Sequence, residues 1–276
     1  AVVHPARGQR LGPREPIRLT LSRPVADVLG RARPAVSPAV PGRWTAPDSH
    51  TLMFTPTGLG FPLGATVRVT LPPALDVAAS ASRVVAMRVP GGTEARLQQL
   101  LAQLGYLPLR FRPDAPVARR PEAQLAAAMA APAGRFTWRW DGVPSGLRAL
   151  WTPGRDGVMT RGALMAFQRD HGLTTDGLAG GSTWHALLAA AVGGHRITPD
   201  YTYVMVSRDG QSMSLWNDGR VVLRTPVNTG IPEAPTAPGT YAVFEHLRST
   251  TMSGTNPDGS HYDDPGVPWV SYFNGG

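Results

Sequence analysis

Tyr201-Thr202-Tyr203-Val204-Met205-Val206-Ser207-Arg208-Asp209-Gly210-Gln211-Ser212-Met213-Ser214-Leu215-Trp216-Asn217-Asp218-Gly219-Arg220-Val221-Val222-Leu223 reads as two β-hairpins in succession. Val204 to Ser207 and Met213 to Trp216 flank Arg208-Asp209-Gly210-Gln211, and Trp216 and Val221 flank Asn217-Asp218-Gly219-Arg220. Asp-Gly between β-formers is a strong hairpin signal, because the turn needs positive φ and these two residues accept it at least cost. Three antiparallel strands are expected. Beyond them come Val227-Asn228-Thr229-Gly230, a proline-rich bend from Pro232 to Pro238 and a strand from Gly239 to Phe244. A polar excursion from His246 to Asp264 and a last strand from Val267 to Phe273 complete the segment. Hairpin signals without helical periodicity make residues 198–276 a mainly β domain.

Upstream, the period of the apolar residues changes twice. In residues 91–197, Leu97, Leu100, Leu101 and Leu104 fall at helical spacing and stop at Gly105-Tyr106-Leu107-Pro108. A second helix is expected from Thr160 through Leu164 and Phe167 to His171-Gly172. After an Asp176-Gly177 turn, Ser182 or Thr183 can cap a third helix that turns Trp184, Leu187 and Leu188 inward. Between the first and second helices lies an insertion, 106–157, with an aromatic strand at Phe136-Thr137-Trp138-Arg139-Trp140 and a short helix from Leu147 to Trp151. Its tryptophans, Trp138, Trp140 and Trp151, read as core or interface residues.

Residues 1–90 read as all-β. Ile17 to Leu21, Thr51 to Thr55, Val67 to Leu71 and Arg83 to Met87 are short strands separated by proline and glycine clusters, the pattern of a sandwich. The fold class is therefore multidomain α+β: an N-terminal β-sandwich, a central three-helix domain with an insertion, and a C-terminal mainly β domain.

All 27 basic residues are arginine, as expected of a G+C-rich coding sequence, and there is no cysteine. A P-loop lysine, a Schiff-base lysine and a Ser-x-x-Lys nucleophile are excluded, as are disulfides and thiolate metal sites. The 276 residues carry a net charge of +8, distributed as +7 over 1–90, +5 over 91–197 and −4 over 198–276. A basic front suits an anionic polymer, with the cell wall and nucleic acid as candidates. The arginines are scattered and no aromatic-interleaved basic stripe exists, so nucleic acid is not expected as a partner. No run of about 18 apolar residues can span a bilayer, and the start lacks the parts of a signal peptide.

The order of segments Asn228-Thr229-Gly230, Pro235-Thr236-Ala237-Pro238-Gly239-Thr240-Tyr241 and Gly266-Val267-Pro268-Trp269-Val270-Ser271-Tyr272-Phe273 resembles the front of an L,D-transpeptidase catalytic domain, the YkuD-like family. Arg161 to Gln168, then His171-Gly172-Leu173, Asp176-Gly177, Gly180 and Thr183-Trp184, resembles a peptidoglycan-binding domain. Ile17 to Pro24, Arg43-Trp44 and Thr51 to Pro56 resemble bacterial immunoglobulin-like domains. These resemblances imply an extracytoplasmic, wall-associated, monomeric protein of cell-wall biogenesis and cell shape. Peptidoglycan is then its partner, any membrane anchor lies outside this chain, and no cofactor or metal takes part.

The transpeptidase resemblance further implies a catalytic His and a Ser-x-Gly-Cys-x-Arg loop beyond Gly276, so no catalytic residue is assigned within the chain. The implied thiolate attacks the bond joining diaminopimelate to D-alanine in a tetrapeptide stem. The side-chain amine of a neighbouring stem then resolves the thioester. Tyr272, and after it Trp269, are the candidates for lining the acyl pocket, and 246–264 is a candidate flap over the substrate. The 276-residue chain is expected to be inactive and, with an open apolar strand edge, poorly soluble or rearranged at its C-terminal end.

Other constellations fail on their spacing. Asn256, Asp258, Ser260, Tyr262 and Asp264 alternate like a calcium loop, but His261 and Val267 occupy the places of its Gly and its bidentate Glu. His246 and His261 lack zinc-ligand spacing, no Gly-x-Ser-x-Gly is present, and Gly58 to Gly64 has the wrong glycine spacing for a nucleotide loop. A non-catalytic wall-binding or scaffold protein with a vestigial last domain is the alternative.

Overall fold

A computed structural model describes residues 1–75 and 82–274. Residues 76–81 of the N-terminal domain and 275–276 of the C-terminal one therefore lie outside the description. The chain begins with β1 (Val2–His4), β2 (Ile17–Thr20), α1 (Val25–Leu29), β3 (Ala35–Ser37), β4 (Gly42–Thr45), β5 (Thr51–Pro56), β6 (Thr66–Thr70) and β7 (Val84–Arg88). There follow α2 (Glu94–Leu104), β8 (Leu109–Pro113), α3 (Pro121–Met129), β9 (Gly134–Trp138), α4 (Ser145–Ala149), α5 (Val158–Asp170) and α6 (Gly181–Gly193). The C-terminal part holds β10 (Thr202–Ser207), β11 (Ser212–Asn217), β12 (Arg220–Pro226), β13 (Gly230–Ile231), β14 (Ala234–Pro235), β15 (Glu245–Thr255) and β16 (His261–Tyr272). Two compact units are built from these elements: 1–100 with 113–133 and 179–195, and 101–112 with 134–178 and 196–276.

The first unit holds a four-stranded sheet, β1-β2-β5-β4, and a three-stranded sheet, β3-β6-β7, both antiparallel. Alternation buries Ile17, Leu19, Leu52 and Phe54 on one sheet and Val67, Val69 and Met87 on the other. The four strands expected from sequence are β2, β5, β6 and β7. Strands β1 and β3 have only three residues each, too few to show a period of two. Helix α3 was not foreseen either, because its alanine-rich sequence carries little amphipathic contrast, although Pro121 stands at its start, where a missing N–H costs nothing.

Inside this unit the Arg96 guanidinium is buried, donating to Gln124 Oε1 at 2.7 Å and to Gln99 Oε1 at 3.3 Å. The two amides in turn donate to the Ala118 and Pro132 carbonyls, both at 2.9 Å. Burial lowers the Arg96 pKa to about 10, which leaves it charged at neutral pH. Helix α6 starts at Gly181, and Gly180 occupies its cap. The expected cap, Ser182 or Thr183, therefore lies in the first turn, because Trp184 N–H already reaches back to Gly180 C=O.

In the second unit, β8 and β9 form a two-stranded sheet, and Phe111, Phe136 and Trp151 make a chain of ring contacts at 4.9 and 5.0 Å. Strands β10, β11 and β12 form the expected double hairpin, with positive φ at Gln211, Asp218 and Gly219 in the two turns. Trp216 is fully buried, edge-on to Trp140 at 5.6 Å, and its indole N–H donates to Gly142 C=O at 2.8 Å. Gly142 is a required glycine, since a Cβ there would lie 2.2 Å from Gly219 C=O. Trp140 and Trp151 are thus packing residues. The opposite face of this sheet carries Val204, Val206 and Leu223, all roughly half exposed, so the sheet is apolar on both faces.

Two sequence expectations are corrected here. Gly239 to Phe244 is not a strand. Gly239 has φ +147°, Tyr241 Oη donates to Pro238 C=O at 2.9 Å, and ladder pairing begins only at Phe244 N–H, which donates to Tyr272 C=O. The excursion from His246 to Asp264 is a long hairpin rather than a loop, because β15 and β16 pair from Glu245↔Tyr272 to Thr255↔His261. Strand β15 is rich in serine and threonine, and the first half of β16 carries acids, proline and glycine, so neither shows apolar alternation there.

Candidate functional site

Several motif residues hold the backbone rather than face a ligand. Gln168 on α5 is buried; its amide donates to Asp176 Oδ1 at 2.7 Å and to Leu178 C=O at 3.0 Å, and its carbonyl accepts from Gly177 N–H at 2.8 Å. Asp176 also accepts from Leu178 N–H at 2.9 Å, and that bond, followed by the one from Gln168, holds its carboxyl below the usual range. His171 stacks on Phe167 at 4.0 Å and its Nδ1 lies 2.9 Å from Phe167 C=O. The Phe-Gln, His-Gly and Asp-Gly signals are therefore parts of one helix–turn lock.

Thr229 of the Asn-Thr-Gly segment works in the same way. It is buried, its N–H donates to Gln211 Oε1 at 3.1 Å, and Gln211 Nε2 donates to Thr229 Oγ1 at 2.7 Å. This ties the chain after β12 to the first hairpin turn. Gln211 escaped sequence reasoning because a polar turn residue carries no local sign of a partner 18 positions away.

The two expected substrate residues lie on β16. Tyr272 is half-buried, opposite Glu245, with its ring stacked against Phe244 at 6.3 Å. Trp269 is 77% exposed and sits at φ +55°, an uncommon conformation for a bulky residue. Val270 between them is buried, and strand alternation places it on the face of Tyr272, away from Trp269. The structure thus does not bring Tyr272 and Trp269 together. Instead, Tyr272 and Phe244 stack at the hairpin base beside a second ring pair, Tyr241 and Phe273 at 5.7 Å.

Tyr241 also lines a cleft of about 270 Å3 with Tyr106, Tyr201, Tyr203, Arg169 and Asp170. Burial pushes the Tyr106 phenol up, and Asp170 pushes it further. Burial raises Tyr201, with a smaller effect of Tyr203, and burial alone raises Tyr203. These phenols are neutral hydroxyl donors across the physiological range. The cleft was not legible in the sequence because its walls come from segments far apart in the chain.

His246 Nδ1 lies 2.9 Å from Ser271 Oγ, and His261 Nδ1 lies 3.0 Å from Thr255 Oγ1, both across the β15–β16 ladder. Asp258 accepts from Ser260 N–H and Oγ–H inside the hairpin turn. Among the described residues no three His, Asp or Glu side chains are grouped to hold a metal ion.

A multidomain α+β protein emerges, with a locked helix–turn module and a hairpin-built β domain that offers aromatic rings and neutral hydroxyls but no thiol. Residues 201–276 match the L,D-transpeptidase catalytic domain family, and residues 147–187, which begin within α4, match a peptidoglycan binding domain family.

Among solved structures, the chain aligns with the L,D-transpeptidase from Mycobacterium smegmatis at 12% identity, over 99% of this chain and 75% of that one, with a TM-score of 0.25. L,D-transpeptidase 3 from Mycobacterium tuberculosis aligns at 13% identity, over 99% and 77%, with a TM-score of 0.26. A comparison with curated proteins finds no match. Among the described residues, no helix is long and apolar enough to cross a membrane.

Proposed function

We propose that this chain is the substrate-side part of an L,D-transpeptidase that cross-links peptidoglycan outside the cytoplasm. The match of residues 201–276 to the catalytic domain family carries this reading. In the proposed reaction a cysteine thiolate attacks the carbonyl joining diaminopimelate to D-alanine. The carbon–nitrogen bond breaks, D-alanine leaves with a proton, and a thioester forms. The side-chain amine of a second stem then attacks the thioester, forming the cross-link and releasing the thiol.

Within this scheme Tyr272 lines the acyl pocket, Trp269 contributes less, and the β15–β16 hairpin covers the stem. The sandwich over 1–90, the helical domain over 91–197 and the β domain over 198–276 act as successive modules of a monomer. Because no cysteine is present, the 276-residue chain by itself does not form the thioester.

The match of residues 147–187 to a peptidoglycan binding domain family favours a second reading, a wall-binding scaffold with a vestigial catalytic domain. The coding sequence past codon 276 separates the two. The 276-residue chain and any longer product are incubated with a labelled tetrapeptide stem and analysed by mass spectrometry. The enzyme reading expects a downstream His and Ser-x-Gly-Cys, and thioester mass on the longer product alone. A stop at codon 277, or a longer product without acylation, leaves the scaffold reading.

A further inference from the structure

The outer face of the β3-β6-β7 sheet is built from Ala35, Ser37, Thr66, Arg68, Thr70, Val84, Ala86 and Arg88. Arg68 pairs with Ala86 and Arg88 with Thr66, so the two arginines are diagonal neighbours on one face, about 7–8 Å apart at their Cα atoms. The segment before β2 adds a third. Arg10 bridges Arg88 in parallel, fixed by Leu11 N–H to Arg88 C=O and by Arg88 N–H to Gln9 C=O, both close to 3 Å. Leu11, Met87 and Val89 point into the core, so Arg10, Arg68 and Arg88 all point to solvent, and all three are exposed.

Among the described residues no acid is ion-paired with this group. The ion pairs Arg14–Glu122, Arg161–Asp156 and Arg169–Asp170 lie elsewhere. Glu15, the nearest acid in sequence to Arg10, accepts from Gly12 N–H at 2.7 Å. Like charges at neighbouring cross-strand positions are destabilising. Here they stand on a flat β surface whose other side chains are small. Arginine forks suit phosphate oxygens, and three forks at this spacing suit a polymer whose anions recur every few ångströms.

We infer that the Arg10–Arg68–Arg88 face of the N-terminal sandwich binds a phosphodiester-linked anionic glycopolymer of the bacterial wall. The proposed function supplies only the partner's wall identity; the basic face stands apart from it. The face offers no aromatic ring for bases to stack on, which favours a glycopolymer over single-stranded nucleic acid.

The test uses the full 276-residue chain in co-sedimentation with purified walls, before and after acid extraction of phosphodiester-linked polymer, between 50 and 200 mM salt. Three phosphate contacts on a flexible polyanion predict a log–log salt slope steeper by about 2, or roughly 20-fold in affinity across that range. The triple variant R10Q/R68Q/R88Q is expected to lose that slope, and extraction is expected to reduce wild-type binding to the level of the variant. R18Q/R43Q, on the other sheet of the sandwich, serves as the control and keeps the slope. Wild-type binding by the folded triple variant, or unchanged binding to extracted walls, overturns the inference. Tighter binding to a single-stranded oligonucleotide than to the free glycopolymer overturns the choice of partner. Because acyl transfer is not read out, failure here leaves the transpeptidase reading untouched.

Discussion

Replacing Gln168 by leucine keeps most of the side-chain volume and removes three hydrogen bonds at once: the donations to Asp176 and Leu178 and the acceptance from Gly177. At about 1 kcal/mol each, the turn loses about 3 kcal/mol, because the Gly177 N–H is left inside without a partner. That corresponds to roughly a 100-fold rise in local opening. Amide exchange at Gly177, followed by NMR under conditions where opening limits exchange thermodynamically, reads this directly. Exchange within threefold of wild type would refute the lock.

Gln168→Glu sharpens the test. At neutral pH it sets a carboxylate against Asp176, and the turn should open. Near pH 4 the new carboxyl takes up a proton and can donate, so protection should recover. The wild type should stay closed over that range and open only at lower pH. Asp176 has a depressed pKa, so its contribution is complete above the ordinary carboxylate pKa of about 3.9 and disappears as pH falls through the depressed value.

Trp216→Ala should destabilise the second unit by about 3–5 kcal/mol, since a fully buried indole leaves a large void. Trp216→Phe should cost about 1–3 kcal/mol through the unsatisfied Gly142 carbonyl, and urea unfolding followed by circular dichroism measures both. For substrate, Tyr272→Ala should weaken binding of a tetrapeptide stem about tenfold in calorimetry, whereas Trp269→Ala should change it less than threefold; the reverse order would remove Tyr272 from the acyl pocket. Tyr106 and Tyr201 should ionise later than exposed phenols in an absorbance titration at alkaline pH. Their raised folded pKa values mean full stability below the unfolded value of about 10 and loss as pH rises above it.

What the sequence reveals depends on how local its causes are. The turn segments at 208–211 and 217–220 fix their hairpins within a few residues, although positive φ in the first falls on Gln211 rather than on Asp209-Gly210, and β10, β11 and β12 form as expected. Helices α2 and α5 follow from leucine and phenylalanine at helical spacing. The strand expected over Val267 to Phe273 is the second half of β16, whereas helix α3, β15 and the first half of β16 do not announce themselves, since an alanine-rich stretch and polar ones lack the apolar contrast that reveals a period. Tyr272 and Trp269 are both candidates in sequence, but three residues apart on one strand they face opposite sides. The ladder buries Val270 on the Tyr272 face and leaves Trp269 in solvent.

The sequence by itself determined the order of β-sandwich, helices and hairpin domain, the family resemblance and the absence of a thiol, because turn chemistry, period and composition are local quantities. Only the tertiary structure decided that Gln168 and Thr229 serve as locks, that four tyrosines meet in one cleft, and that Arg10, Arg68 and Arg88 share a face. These are long-range adjacencies, created by strand register and by the demand that every buried amide find a partner, and no short window of sequence records them.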